Sequence, residues 1–193
     1  MKRKILNIGL AVSLLFASSC GKDFLDVNTD PNNPASAPAN LVFPAAVIST
    51  ASVVGGDYAI LGGIWSQFWT QSHGSNQYKS IDAFSIRPVD FQNRWLELYA
   101  GALNDYKYVK EQADATGNAN LKLMAVVMEA YTFQVLTDIY DEIPFDEALQ
   151  GGANLQPRYQ PGQEVYDGLI VRLNEAIAAA PGGLAPIGDN DIV

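Results

Sequence analysis

Hydrophobic positions recur at helical spacing in five stretches of the chain, and no run alternates long enough to read as a sustained strand. The first two stretches run from Asn40 to about Val54 and from Asp57 to about Gln71, parted by Gly55 and Gly56, which predict a helix stop. Within the second, Leu61, Ile64, Trp65, Phe68 and Trp69 share one face, so Trp65 and Phe68 are expected in the core. An eighteen-residue polar and aromatic loop, roughly Ser72 to Val89, follows. The third helix is predicted to start at an N-cap, Asp90, and to carry Phe91, Trp95, Leu98, Ala102, Tyr106 and Val109 on one stripe until Gly117 stops it. The fourth, about Asn118 to Tyr140, is apolar nearly all round, with a narrow polar strip at Lys122, Glu129 and Thr132. Such a helix is central, and its Met124, Met128, Tyr131 and Phe133 read as core. After a loop from Asp141 to Gly162, Val165, Leu169, Leu173 and Ile177 line a fifth helix, with Asp167, Asn174 and Glu175 turned away and Pro181 with Gly182-Gly183 as its stop. The predicted fold is all-α: antiparallel helical hairpins of tetratricopeptide-like kind with a long irregular loop, although no clean repeat of tetratricopeptide length is present.

The N-terminus has a different pattern. Lys2, Arg3 and Lys4 precede an apolar run from Ile5 to Ala17, and the small residues Ala17, Ser18 and Ser19 lead into Cys20, the only cysteine of the chain. This reads as a lipoprotein signal peptide over residues 1–19, with Cys20 as the lipidated residue; the alternative is an ordinary secretory peptide with Cys20 near the cut. The leader is too short to span a bilayer, and no later stretch is expected to reach the ~20 apolar residues of a transmembrane helix. Residues 20–39, rich in Pro, Asn, Asp and Ser, read as a flexible linker ahead of a helical domain over residues 40–193. Asp26, Asn28, Asp30 and Asn32 imitate the start of a calcium loop, but Pro31 stands where glycine is needed and Ala37 where a bidentate Glu should be. The terminal GDNDIV, an acidic turn followed by two apolar residues, reads as an interrupted protein.

Composition narrows the function classes. Loss of the three basic residues in the leader takes the net charge from −9 to −12, which excludes nucleic acid as a partner. Without a second cysteine no internal disulfide forms, so packing supplies the stability. A hydrophobic content of 48% with 17% charged residues supports a folded domain with its own core.

Three segments together resemble the SusD/RagB family of outer-membrane nutrient-binding lipoproteins, in its SusD-like branch. They are DFLDVNTDPNNPASAPANLVFPAA; GGIWSQFWTQ with the loop to FQNRWLELYAGALNDY; and LMAVVMEAYTFQVLTDIYDEIPFDEAL continuing to YQPGQEVYDGLIVRLNEA. The resemblance implies a lipid-anchored protein of the outer membrane, exposed at the cell surface, that captures an oligosaccharide or other nutrient and delivers it to a SusC-like TonB-dependent transporter. It implies an all-helical body and binding without catalysis, and covers the N-terminal part of the family only. Gly21-Lys22-Asp23 looks like the family's surface-export signal.

The chemistry of a sugar fits one part of the chain. A saccharide offers apolar C–H faces and a rim of hydroxyls, which flat rings, amides, carboxylates and guanidinium groups recognise. The loop between the second and third helices holds that mixture: Trp69 at its root, then Gln71, His73, Asn76, Gln77, Tyr78, Asp82 and Arg87. Trp69, His73, Asn76, Gln77, Tyr78 and Arg87 are the candidate ligand-binding residues; the alternative is a solvated loop that Tyr78 and Phe84 pin to the body. His73 is the only histidine, so no multi-histidine metal site forms, and no cofactor is expected. The acids Asp138, Asp141, Glu142, Asp146 and Glu147 raise glycoside hydrolysis as a competing reading. Asp138 and Glu142 would stand one turn apart on a continuing helix, but the Ile143-Pro144 step ends it, and a turn with Arg158 or Arg172 as counter-charge is the simpler expectation. A further alternative is a helical scaffold that binds no ligand and only docks on the transporter.

Overall fold

The computed structural model describes residues 36–180 and 182. The signal peptide, Cys20, the export signal, the calcium-loop imitation, and Pro181 and Gly183 lie outside the described residues.

The chain enters α1 (Ala39–Val53) from the extended Pro38, whose carbonyl accepts Leu41 N at 2.9 Å and Val42 N at 3.2 Å. The stop expected at Gly55-Gly56 does not occur. Neither glycine takes a left-handed conformation, and Val54–Tyr58 instead forms a π-helical segment that runs straight into α2 (Ala59–Trp65). A wide π turn needs no chain reversal, and two bonds on its far side hold it: the Asp57 carboxylate takes Arg94, and Tyr58 is buried with its hydroxyl 3.1 Å from that of Tyr140. The resulting helix of 27 residues is long and apolar enough to cross a membrane by length and composition, contrary to expectation. We read it as a helix of the bundle, because Phe43, Ala46, Thr50 and Val53 are buried against the other helices.

The second helix ends at Trp65, short of Gln71. Gln67 adopts a left-handed φ of 63°, and Trp69 N donates back to Gly63 O at 2.9 Å. Phe68 is thereby thrown off the helical stripe and is 86% exposed, which corrects its assignment to the core; Trp65 also remains half-exposed. The long loop carries one short helical turn, α3 (Lys79–Asp82).

A 3-10 turn (Pro88–Phe91) opens the next helix, which continues as α4 (Gln92–Leu96), a π segment (Glu97–Leu103) and α5 (Asn104–Thr116). Asp90 is not the N-cap. It stands in the first turn, where its Oδ2 accepts Arg87 N at 2.8 Å as in half of a capping box, while its own N–H donates to the Arg87 carbonyl at 2.9 Å. Leu98, Ala102, Tyr106 and Val109 are buried as their spacing predicts, and Gly117 ends the helix at φ 65°.

Asn118 caps α6 (Ala119–Tyr140), its Oδ1 accepting Leu121 N at 3.0 Å. The two-residue Gly117-Asn118 connection makes α5 and α6 a packed helical hairpin, and α7 (Gly162–Ala179) packs on the other side of α6. The centrality of α6 holds; of its polar strip Lys122 reaches the surface, where it pairs with Asp114 at 2.7 Å, and the other two residues are buried. Thr132 is wholly buried, 3.0 Å from Thr50 Oγ1, which also meets Tyr106 Oη at 3.0 Å. Glu129 is 4% exposed and accepts Lys110 Nζ at 2.6 and 2.7 Å. Among its apolar residues Met124 and Phe133 are buried, whereas Tyr131 is half-exposed.

Between α6 and α7 a two-residue antiparallel ladder joins β1 (Ile143–Pro144) and β2 (Tyr159–Gln160), pairing Ile143 with Gln160. On α7, Val165 and Leu169 are buried as expected; Ile177 is exposed and Ala176 takes its place against Leu123 and Val126. The described residues are thus all-α apart from this ladder.

Candidate functional site

Trp69 owes its position to the backbone beneath it. Its ring lies over Gly63 so closely that a Cβ there would collide with the indole, 2.6 Å from Cδ2. Any side chain at 63 would lift the ring, and with glycine the indole rests on the end of α2 with 55% of its surface exposed. This gives a supported aromatic face open to solvent.

On the last turn of α2, Trp65 Nε1 donates to Ile81 O at 3.0 Å and the indole stacks on Phe84, centroids 5.5 Å apart at 24°. Phe84 takes a left-handed φ of 53° to reach that position. These bonds tie α3 and the loop to the end of α2. The Thr70 hydroxyl donates to Asp82 at 3.2 Å, and Tyr78 N donates to Gln71 Oε1 at 3.3 Å.

Among the predicted ligand residues, Gln77 Nε2 donates to Tyr78 Oη at 2.9 Å, and the two line a small cavity of about 200 Å³ with Asp57, Ser80, Asp90 and Arg94. Asn76 accepts Lys79 Nζ at 3.1 Å, and His73 is exposed. Arg87 stands apart from that cavity: its Nη2 donates to Asp90 Oδ1 at 2.8 Å. That side-chain bond, with the Arg87 N–H, holds the Asp90 carboxyl below the usual carboxylate range.

A larger cavity of about 580 Å³, missed by sequence reasoning, opens between α2, the Ile86–Phe91 segment and the last turn of α6. Tyr58, Leu61, Trp65, Phe91, Ile139 and Tyr140 form its apolar walls, with Gly62, Arg87 and Asp138 beside them. On its floor, Tyr140 Oη lies 3.3 Å from Phe91 O and 3.1 Å from Tyr58 Oη. Burial first, and then the Tyr140 hydroxyl, push the Tyr58 phenol well above its ordinary value. The walls come from helices far apart in sequence, so periodicity carried no signal for it.

Three of the five acids at the end of α6 and just beyond it have structural partners. Asp138 accepts Tyr166 Oη at 2.6 Å; Asp146 pairs with Arg172 at 2.9 Å; Glu147 accepts Arg158 N at 2.9 Å and Asn154 Nδ2 at 3.0 Å. Those two bonds, the backbone one first, hold the Glu147 carboxyl below its ordinary value. Arg172 also lies 3.8 Å above the Phe145 ring. Arg172 supplies the expected counter-charge, whereas the Arg158 guanidinium pairs with Glu164 on α7 at 2.9 Å and only its backbone N–H reaches Glu147; this stretch is a braced turn leading into α7.

These features define an all-helical scaffold that displays a braced loop with open aromatic faces and amide groups. Residues 31–193 match the SusD-like family described as starch-binding and associating with the outer membrane, and the chain belongs to that family. No curated protein matches this chain.

Proposed function

We propose that the protein is a cell-surface glycan- or nutrient-binding lipoprotein, anchored to the outer membrane through Cys20, that captures an oligosaccharide and delivers it to a SusC-like TonB-dependent transporter. Family membership supports the outer-membrane setting and the class of ligand. The observation that carries the binding reading is the Trp69 ring, laid over Gly63 and left open to solvent at the root of the loop that carries Gln77 and Tyr78. A pyranose C–H face stacks on the indole, and the Asn76, Gln77, Tyr78, His73 and Arg87 groups read its hydroxyls. No bond of the ligand is made or broken: the ligand is held by stacking and hydrogen bonds and handed on.

A second reading, a scaffold that only docks on the transporter, draws on the apolar groove between α6 and α7, where Val127, Tyr131, Tyr166 and Ile170 are exposed. Calorimetric titration of the full chain in detergent with maltooligosaccharides separates the two. Saturable binding that weakens at least about tenfold in Trp69→Ala supports capture, since loss of one stacking face is worth that factor. A folded chain that binds no saccharide yet still associates with a transporter barrel leaves the scaffold reading.

A further inference from the structure

The two adjacent glycines of α2 have different surroundings. At Gly63 a side chain would strike the Trp69 ring, so its absence is explained by that contact. At Gly62 a Cβ would meet nothing within 4 Å. A glycine inside a helix costs stability, and here no close approach of another element accounts for it. What Gly62 does leave open is the 580 Å³ cavity, of which it forms part of the wall.

That cavity differs in kind from the loop surface beside it. Its walls are Leu61, Ile139 and the rings of Tyr58, Trp65, Phe91 and Tyr140, and the tyrosine hydroxyls on its floor are engaged with each other and with Phe91 O. Asp138 in its lining already accepts Tyr166 Oη, so apart from Arg87 it offers a sugar's hydroxyls few partners, and burying them unpaired is unfavourable. A flat apolar group meets complementary surface there, in a volume typical of small-molecule sites. Arg87 belongs both to the candidate saccharide loop and to this cavity, while Trp65, another of its walls, anchors the loop through Ile81 and Phe84. A ligand held by the loop therefore has the cavity within its reach.

We propose that the cavity takes an aromatic group carried by the glycan, so that the favoured ligand of this protein is an aryl-substituted saccharide. The inference rests on the glycan-binding reading above and adds the class of substituent. Arg87 and the loop hold the sugar, and the aryl ring leaves water between Gly62 on α2 and Ile139 on α6.

The test is calorimetric titration of the full chain with methyl α-maltoside, 4-nitrophenyl α-maltoside and 4-nitrophenol, repeated on Gly62→Phe and Ile139→Trp, each checked for helicity by circular dichroism. The aryl maltoside is expected to bind at least about tenfold tighter than the methyl maltoside, because hiding half of a ring from water is worth that factor. Filling the cavity from either wall removes that advantage and leaves the affinity for the methyl maltoside unchanged. Equal affinities for the two maltosides, or an advantage that survives in both folded variants, overturns the proposal. If neither maltoside binds while 4-nitrophenol binds the parent chain and not Gly62→Phe, the glycan reading falls and the aromatic site stands. Binding of none of the three overturns both.

Discussion

Replacing Gly63 and Gly62 by alanine, one at a time, should change stability in opposite directions. In a helix interior alanine is favoured over glycine by about 0.8–1 kcal/mol, and both positions lie within α2. At Gly62 the new methyl meets no neighbour, so the variant keeps that gain. At Gly63 the methyl occupies the space of the Trp69 ring, which must swing away and lose the burial it has, a little under half of its surface. At ~25 cal/mol per Å² and roughly 100 Å² of ring surface returned to water, that loss is about 2.5 kcal/mol. The net expectation for Gly63→Ala is a destabilisation of about 1.5 kcal/mol, a Tm lower by about 3–6 °C, against a rise of about 2–4 °C for Gly62→Ala. Thermal melts followed by circular dichroism measure both. Tryptophan emission should shift to the red in Gly63→Ala alone, and maltooligosaccharide affinity should fall with it. A Gly63→Ala chain that melts higher than the parent with unchanged emission would refute the reasoning, since the ring would then not depend on the glycine.

Three other expectations concern the body. Lys110→Met leaves the Glu129 carboxylate buried without its partner and should cost about 3–5 kcal/mol in urea unfolding, whereas the double variant Lys110→Met/Glu129→Leu should recover most of it; equal losses would show that the cost does not come from the unpaired carboxylate. Asn118→Ala removes the side-chain cap on α6 and should lower stability by about 1 kcal/mol, with helix content at low temperature unchanged. Stability should also fall as pH rises above about 10. Burial pushes the Tyr106 phenol up to about 12, with Thr50 and Thr132 opposing, and raises those of Tyr58 and Tyr99 as well. The unfolded phenols lose their protons from their ordinary value of about 10, while the folded ones retain theirs, so the native state binds more protons and the loss grows up to the folded values. Urea midpoints that stay flat from pH 9 to 11.5 would contradict this.

The linear pattern of residues determined the helical class, the central place of α6, its Asn118 start, the Gly117 stop, and the buried stripe from Leu98 to Val109, because helical period and caps are local properties carried by neighbours within a few residues. It also placed the aromatic and amide groups of the long loop together, since they adjoin in sequence. Tertiary structure decided the rest. Gly55-Gly56 reads as a stop, yet Asp57–Arg94 and the buried Tyr58 hold that segment helical, and Arg94 lies 37 residues away. Glu129 and Thr132 read only as a polar strip, and it is packing that brings Lys110 and Thr50 to them inside the core. Phe68 reads as core until Gln67 turns the chain and exposes it. The aromatic cavity gathers walls from α2, the turn before α4 and the end of α6, whose proximity is set by packing of distant segments and leaves no mark on any single stretch of the chain.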